Sequence, residues 1–192
     1  NGMERLKDVL QAQGFMEVST RSFAKKGEVK LVNPLDVDNP YLRSGLAQGL
    51  TSALAHAKTV APLVLLPNEK PRLFEMGAVF TKGGEFVRLG MTAPSTEITE
   101  LLGTEPKNTQ GAFEYELSDD VLLRVGDGYT PQSFALGAFA PFSVYPFVLR
   151  DIAVWTPEGT AFASAEAAIR ADAGALMRRI DLFDSFTKEG RV

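Results

Sequence analysis

The side chains able to do chemistry in this sequence are carboxylates, lysines and arginines. Among 192 residues there is no cysteine, and His56 is the one histidine. Disulfides, thiolate nucleophiles, iron–sulfur clusters and cysteine zinc sites are excluded, and a histidine-rich metal site or a Ser-His-Asp triad has almost nothing to draw on. His56 lies in "TSALAHAKT", near the end of a helical pattern, and reads as a surface helix residue favoured by the helix dipole. Three carboxylate pairs have spacings that could hold a cation: Asp36 with Asp38, Asp119 with Asp120, and Asp181 with Asp184. Each falls in a turn, at a helix start or in a strand, where capping or local ion pairing accounts for it, so no metal set is assigned. No phosphate loop, dinucleotide fingerprint, HExxH or GxSxG occurs.

Bulk properties narrow the classes further. Hydrophobic residues make up 45% and charged residues 23%, as in an ordinary globular protein. Lys and Arg total 20 against 24 Asp and Glu, a net charge of −4, which argues against coating nucleic acid through bulk charge. No apolar run approaches the ~20 residues needed to span a bilayer, so no membrane partner is expected. "NGMERLKDVL" lacks a signal-peptide apolar core and opens directly on a helical pattern, which leads to the expectation of a cytoplasmic fragment.

The elements that must position these side chains follow from periodicity. Met3, Leu6, Val9 and Leu10 recur at helical spacing before Gly14, and "FMEVSTRSF" alternates as a strand. "VKLV" is a short strand after the "KKGE" turn. Asp38 or Asn39 could cap a helix that Pro40 starts, striped by Leu42, Leu46, Leu50 and Leu54. "PLVLL" reads as a short strand. "RLFEMGAVFTKGGEFVRLGM" reads as a hairpin, in which no charge lies between Glu75 and Lys82. A helix capped by Ser95 or Thr96 and ended by Gly103, a loop "EPKNTQG", a strand "AFEYEL" and a helical turn "SDDVLLRVG" complete this part. After a Gly, Pro and Ala-rich connector come a strand "PFVLRDIAVW", a helix with Ser164 as N-cap and Gly174 beyond its end, a strand "LMRRIDLFDSF" and a turn "TKEG".

Three segments taken in order carry a resemblance: "LKDVLQAQGFMEVST", "NPYLRSGLAQGLTSAL" and "RLFEMGAVFTKGGEFVRLGM". They resemble the motif 1 helix and strand, a Leu-Arg-Pro-Glu-like segment, and the motif 2 hairpin of class II aminoacyl-tRNA synthetases. The sequence departs from that pattern where the chemistry lies. Arg43 holds the Leu-Arg position but Gly45 stands where glutamate would be. Phe80 is kept from motif 2, while Thr81 replaces its arginine and Gly83 its glutamate. Arg21 stands where motif 1 would end in proline, and "LGAFAPFS", the nearest candidate for motif 3, contains no cation. Adenylate formation needs fixed cations on phosphate, so the resemblance implies a fold without the catalysis.

A synthetase fold stripped of its charges resembles the catalytic-like domain of phenylalanyl-tRNA synthetase beta subunits. "GFMEVSTRSF", "VNPLDVDNPYLRSGL" and "RLFEMGAVF" match how that family reads, and "YPFVLRDIAVW" and "IDLFDSF" resemble the start of its ferredoxin-like anticodon-binding domain. The implied fold is α+β: a class II synthetase-like antiparallel sheet with flanking helices over residues 1–141, then a partial ferredoxin-like βαβ segment over 142–192. The implied function is a non-catalytic scaffold and subunit interface in phenylalanine–tRNA ligation. No residue is assigned to catalysis or metal binding. Arg43 is a vestigial ligand position; Met3, Leu6, Leu10 and Phe15 form a partner interface; Arg150, Arg178, Arg179 and Lys188 are the cations for tRNA. No cofactor is expected on this chain, ATP and magnesium belonging to the whole enzyme. The expected partners are the synthetase alpha subunit, tRNA through the C-terminal segment, and a second copy of the isolated fragment. Two competing readings are a free-standing synthetase-like enzyme that activates a small acid through Arg43, Lys82 and Arg88, and an amino-acid-binding module that uses Arg43 for a carboxylate.

Overall fold

In the computed structural model, which describes residues 1–66, 69–131, 137–139, 141–146 and 148–187, the leucine spacing near the start folds as α1 (Gly2–Ala12). Leu6 and Leu10, one helical turn apart, are fully buried, and Gly14 follows the helix at a positive φ of 78°, a conformation cheap only without a Cβ. The chain then enters β1 (Phe15–Glu17), bends, and forms β2 (Phe23–Ala24), so the expected single strand is broken in two. β3 (Val29–Lys30) and β4 (Tyr41–Leu42) complete a small antiparallel sheet of order β2-β4-β3.

The long helix α2 (Ala47–Val64) begins seven residues after Pro40. Leu42, placed by periodicity on the helix stripe, instead pairs with Phe23 and Val29 in the small sheet; ladder bonding outweighs an i, i+4 pattern that the strand does not need. Of the expected strand "PLVLL", Pro62 to Val64 form the last turn of α2, and Leu65 and Leu66 follow the helix without forming a strand.

β5 (Arg72–Thr81) and β6 (Gly84–Met91) form the hairpin over the full expected length, joined by Lys82 and Gly83. α3 (Thr96–Leu102) is capped by the Ser95 hydroxyl and closed by Gly103 in the left-handed region. The stretch read as a loop contains β7 (Lys107–Thr109), which pairs with β8 (Ala112–Glu116). α4 (Asp119–Gly126) follows, capped by Ser118. The main sheet has order β1-β5-β6-β8-β7, antiparallel except where β1 runs parallel to β5.

Two cores result from strand alternation. Phe74, Leu89, Met91 and Tyr115 face Leu6, Leu10, Ile98, Leu102 and Val125 from α1, α3 and α4. Leu73, Val79 and Ala112 face Leu46, Ala47 and Leu50 at the start of α2. Tyr129 donates its hydroxyl hydrogen to Asp8, and that bond pushes the phenol up to about 12.

By internal contacts the chain divides into two compact units, one of Asn1–Ala61 with Lys70–Phe139, the other of Pro62–Glu69 with Ala140–Val192. In the second, the regular elements among the described residues are α5 (Phe162–Ala173) and a 3-10 turn, Gly174–Leu176. The strands expected over 146–155 and 176–186 do not form among the described residues; a strand needs a paired neighbour, and neither segment finds one there. Ala161 occupies the N-cap of α5, so Ser164 lies inside the helix, while Gly174 ends it as expected. The turn "TKEG" lies mostly outside the described residues.

Candidate functional site

The charged side chains of the hairpin and its neighbour share one face. Leu73, Val79 and Ala112 fix which side of β5 and β8 meets α2, and alternation places Glu75, Gly77 and Glu114 on that same side. Phe86 packs in the α2 core, so Arg88 and Gly90 of β6 share its side. Register aligns Glu75, Gly90 and Glu114 across three strands. The result is a row of two buried carboxylates with a glycine between them.

Gly90 is where α2 touches the sheet. A Cβ there would stand 2.6 Å from Leu50 Cδ1 and 3.0 Å from Leu46 Cβ, so the close approach of helix to sheet needs its absence. On one side of this contact, Arg43 leaves β4 and is clamped by its own chain. Its Nη1 donates to Glu75 Oε1 at 2.7 Å and to Thr20 Oγ1 at 3.1 Å, and its Nε donates to the Ala78 carbonyl at 2.8 Å. The Glu75 carboxylate also accepts from the Thr20 hydroxyl at 2.7 Å and the Thr20 amide at 3.2 Å. Gly77 leaves room for the guanidinium, since a Cβ there would lie 2.4 Å from Arg43 Nη2.

On the other side, Glu114 closes the start of α2. Its Oε1 accepts from the amides of Leu46 at 3.0 Å and Ala47 at 2.8 Å, and its Oε2 accepts from Arg88 Nη1 at 3.1 Å. A carboxylate here satisfies otherwise unpaired first-turn N–H groups and complements the helix dipole. Gly45 precedes this turn, and a Cβ on it would come within 3.0 Å of Glu114 Oε1. The space beside Gly45 is thus filled by a carboxylate reaching in from β8.

These contacts decide what the arrangement can do. Arg43 and Arg88 are each paired with a carboxylate of the same chain, and among the described residues no buried side-chain nitrogen or oxygen lacks a partner. An incoming carboxylate or phosphate would have to displace Glu75 or Glu114 from a satisfied network. Thr81, Lys82 and Gly83 lie at the hairpin tip; the Lys82 amide donates to Glu28 and the Gly83 amide to Thr81 Oγ1. Two surface depressions, one of about 330 Å³ bordered by Arg5, Val9 and Glu97 and one of about 390 Å³ bordered by Phe23, Leu31 and Leu35, involve none of the four charged residues.

The other residues singled out by sequence are dispersed. Leu6, Leu10 and Phe15 are seated in the chain's own core, and Met3 alone of the expected partner interface is part-exposed. His56 is exposed in the middle of α2, not near its end. Arg150 donates to the Leu149 carbonyl, Arg178 is exposed, and Arg179 pairs with Asp181 at 2.6 Å. Lys188 lies outside the described residues, as does part of "LGAFAPFS". Among the described residues there is no group of three or more metal-ligating side chains, and no helix is long and apolar enough to cross a membrane.

Glu75 and Glu114 are the site residues that sequence reasoning missed. Their signal was a carboxylate in mid-strand, on the side occupied by Leu73 and Val79 or by Ala112, where an exposed charge has no place. No family model matches the sequence. Among solved structures, the chain is similar to the crystal structure of pyrrolysyl-tRNA synthetase from Desulfitobacterium hafniense, with 19% identity and a TM-score of 0.41, over 62% of this chain and 55% of that one.

Proposed function

We propose that this chain is a class II synthetase-like domain kept for its architecture, acting as a non-catalytic scaffold and subunit interface in phenylalanine–tRNA ligation, as the resemblance to beta subunits implies. One observation carries the reading: both arginines on the face beneath α2 are neutralised by buried carboxylates of the same chain. Phosphate and carboxylate activation requires cations held in place for the substrate; at the hairpin tip Thr81 and Gly83 stand where the pattern has its arginine and glutamate, which leaves Lys82, on an exposed turn, as the cation there. In this reading an alpha subunit supplies catalysis with ATP and magnesium in the cytoplasm. In the same reading residues 142–192 are the start of a ferredoxin-like anticodon-binding domain, with Arg150, Arg178, Arg179 and Lys188 as its cations toward tRNA.

ATP–pyrophosphate exchange by the isolated chain, with phenylalanine and other amino acids, tests the catalytic half of the proposal. No exchange above a heat-killed control is expected, including in Thr81→Arg, because the remaining charges of the pattern are also absent. Exchange by the native chain would favour the free-standing enzyme. Co-purification with a phenylalanyl-tRNA synthetase alpha subunit tests the scaffold half, and its failure in the full-length context would remove the partner. Calorimetry with amino acids tests the binding-module alternative, in which Arg43 would exchange Glu75 for a ligand carboxylate.

A further inference from the structure

The loop from β3 to β4 holds apolar side chains in water and is braced by hydrogen bonds of its own. Val32, Leu35 and Val37 are 93%, 102% and 80% exposed. The loop is tied by its own polar bonds: Asp36 accepts from the Asp38 amide at 3.0 Å and from Asn39 Nδ2 at 2.6 Å, and the Asp36 carbonyl accepts from the Asn39 amide at 3.1 Å. Pro34 and Pro40 further limit its backbone. Beside these protruding side chains lies the depression of about 390 Å³, bordered by Phe23, Leu31, Pro34 and Leu35. Knob and cleft therefore belong to one patch.

Charge is divided on the same patch. β2 runs from the Leu42 level to the Tyr41 level of β4, so Lys25 and Lys26 leave the small sheet at the end from which the 31–40 loop departs. That end carries an exposed Lys25–Lys26 pair and the acidic Asp36 and Asp38. Isologous pairing about a two-fold axis needs a knob and a cleft, and both signs of charge, on one surface, and this patch holds all four.

We infer that this patch is an isologous interface for a second copy of the chain, Leu35 and Val37 of one copy entering the Phe23–Leu31 cleft of the other while Lys25 and Lys26 face the partner copy's acidic loop. The self-bonded loop lowers the ordering cost of association. The inference does not rest on the synthetase reading, because it uses neither the Arg43 nor the Glu114 network.

Sedimentation velocity of the whole chain over a wide concentration range tests it. The native chain is expected to show a reversible dimer that weakens with salt. Leu35→Asp is expected to weaken it by about tenfold or more, with unchanged circular dichroism and melting. Lys25→Glu with Lys26→Glu is expected to weaken it too, and addition of Asp38→Lys to restore it. A monomer at every concentration overturns the inference. So does association that survives Leu35→Asp but is lost in Trp155→Asp, which would place self-association on the apolar residues of the second unit. A patch that binds only a different chain overturns the choice of a second copy and leaves the exchange and co-purification results unaffected.

Discussion

Arg43 Nη1 lies 2.7 Å from Glu75 Oε1, and the two residues are 8% and 3% exposed. The pair joins the small sheet to the central hairpin, because Arg43 also takes its amide to the Ser22 carbonyl and its carbonyl to the Phe80 amide. Removing one partner leaves the other as a buried, unbalanced charge, which costs about 3–5 kcal/mol. Arg43→Met and Glu75→Leu are each expected to lose stability of this order. The double variant should lose distinctly less than the sum, since it removes both charges together. Urea unfolding of the four proteins measures the coupling, and additive losses would show that the two groups do not act as a pair.

The Glu114 carboxylate and Gly45 share one space. Gly45→Ala is expected to destabilise the native chain by about 1–3 kcal/mol, because the new methyl meets Glu114 Oε1 at the first turn of α2. In a Glu114→Ala background the same substitution should add little, the obstructing carboxylate being gone. Thermal melts of the two single variants and the double variant decide this. An equal cost of Gly45→Ala in both backgrounds would mean that the glycine is required for another reason.

Leu6 and Leu10 are fully buried on α1, so an aspartate at either position places an unpaired charge in the core. Leu6→Asp and Leu10→Asp are expected to lower stability by about 3–5 kcal/mol. Met3→Asp, on the part-exposed side of the helix, should change it little. Melts run beside co-purification with an alpha subunit separate the two effects. A Leu6→Asp protein that melts normally yet fails to co-purify with an alpha subunit that holds the native chain would return the α1 stripe to an interface.

The 33–39 loop has an acid limit. The Asn39 side-chain amide, and after it the Asp38 amide, hold the Asp36 carboxyl below its ordinary range. A carboxyl lowered in the folded state contributes order that is present above its unfolded value and lost as pH falls through the folded one. The chemical shifts of the Asp36 carboxyl and the Asn39 side-chain amide are therefore expected to stay native-like at pH values that would protonate an ordinary aspartate, and then change together. An Asp36 that titrates at its ordinary value, or an Asn39 side-chain amide signal that moves independently of it, would dissociate the loop from that carboxylate.

What the sequence by itself determined were the features set by neighbouring residues. The hairpin followed from two alternating apolar runs around Lys82-Gly83, and α3 and α4 from Ser95, Gly103 and Ser118, whose capping chemistry acts within a few residues. The absence of an arginine at Thr81 and of a glutamate at Gly83 was also legible, because identity alone states it. Contacts far apart in the chain were not legible. Leu42 had the spacing of a helix residue and was taken into a sheet by partners 13 and 19 positions away, Val29 and Phe23.

Only the tertiary structure decided the state of the charges. Glu114 reaches α2 from β8 across 68 positions to the Leu46 amide, and Glu75 meets Arg43 across 32. Nothing in local composition distinguishes an arginine awaiting a ligand from one already holding a carboxylate. The difference is made by strand register, which sets which side chains share a face, and by burial, which obliges every charge on that face to find a partner within the chain.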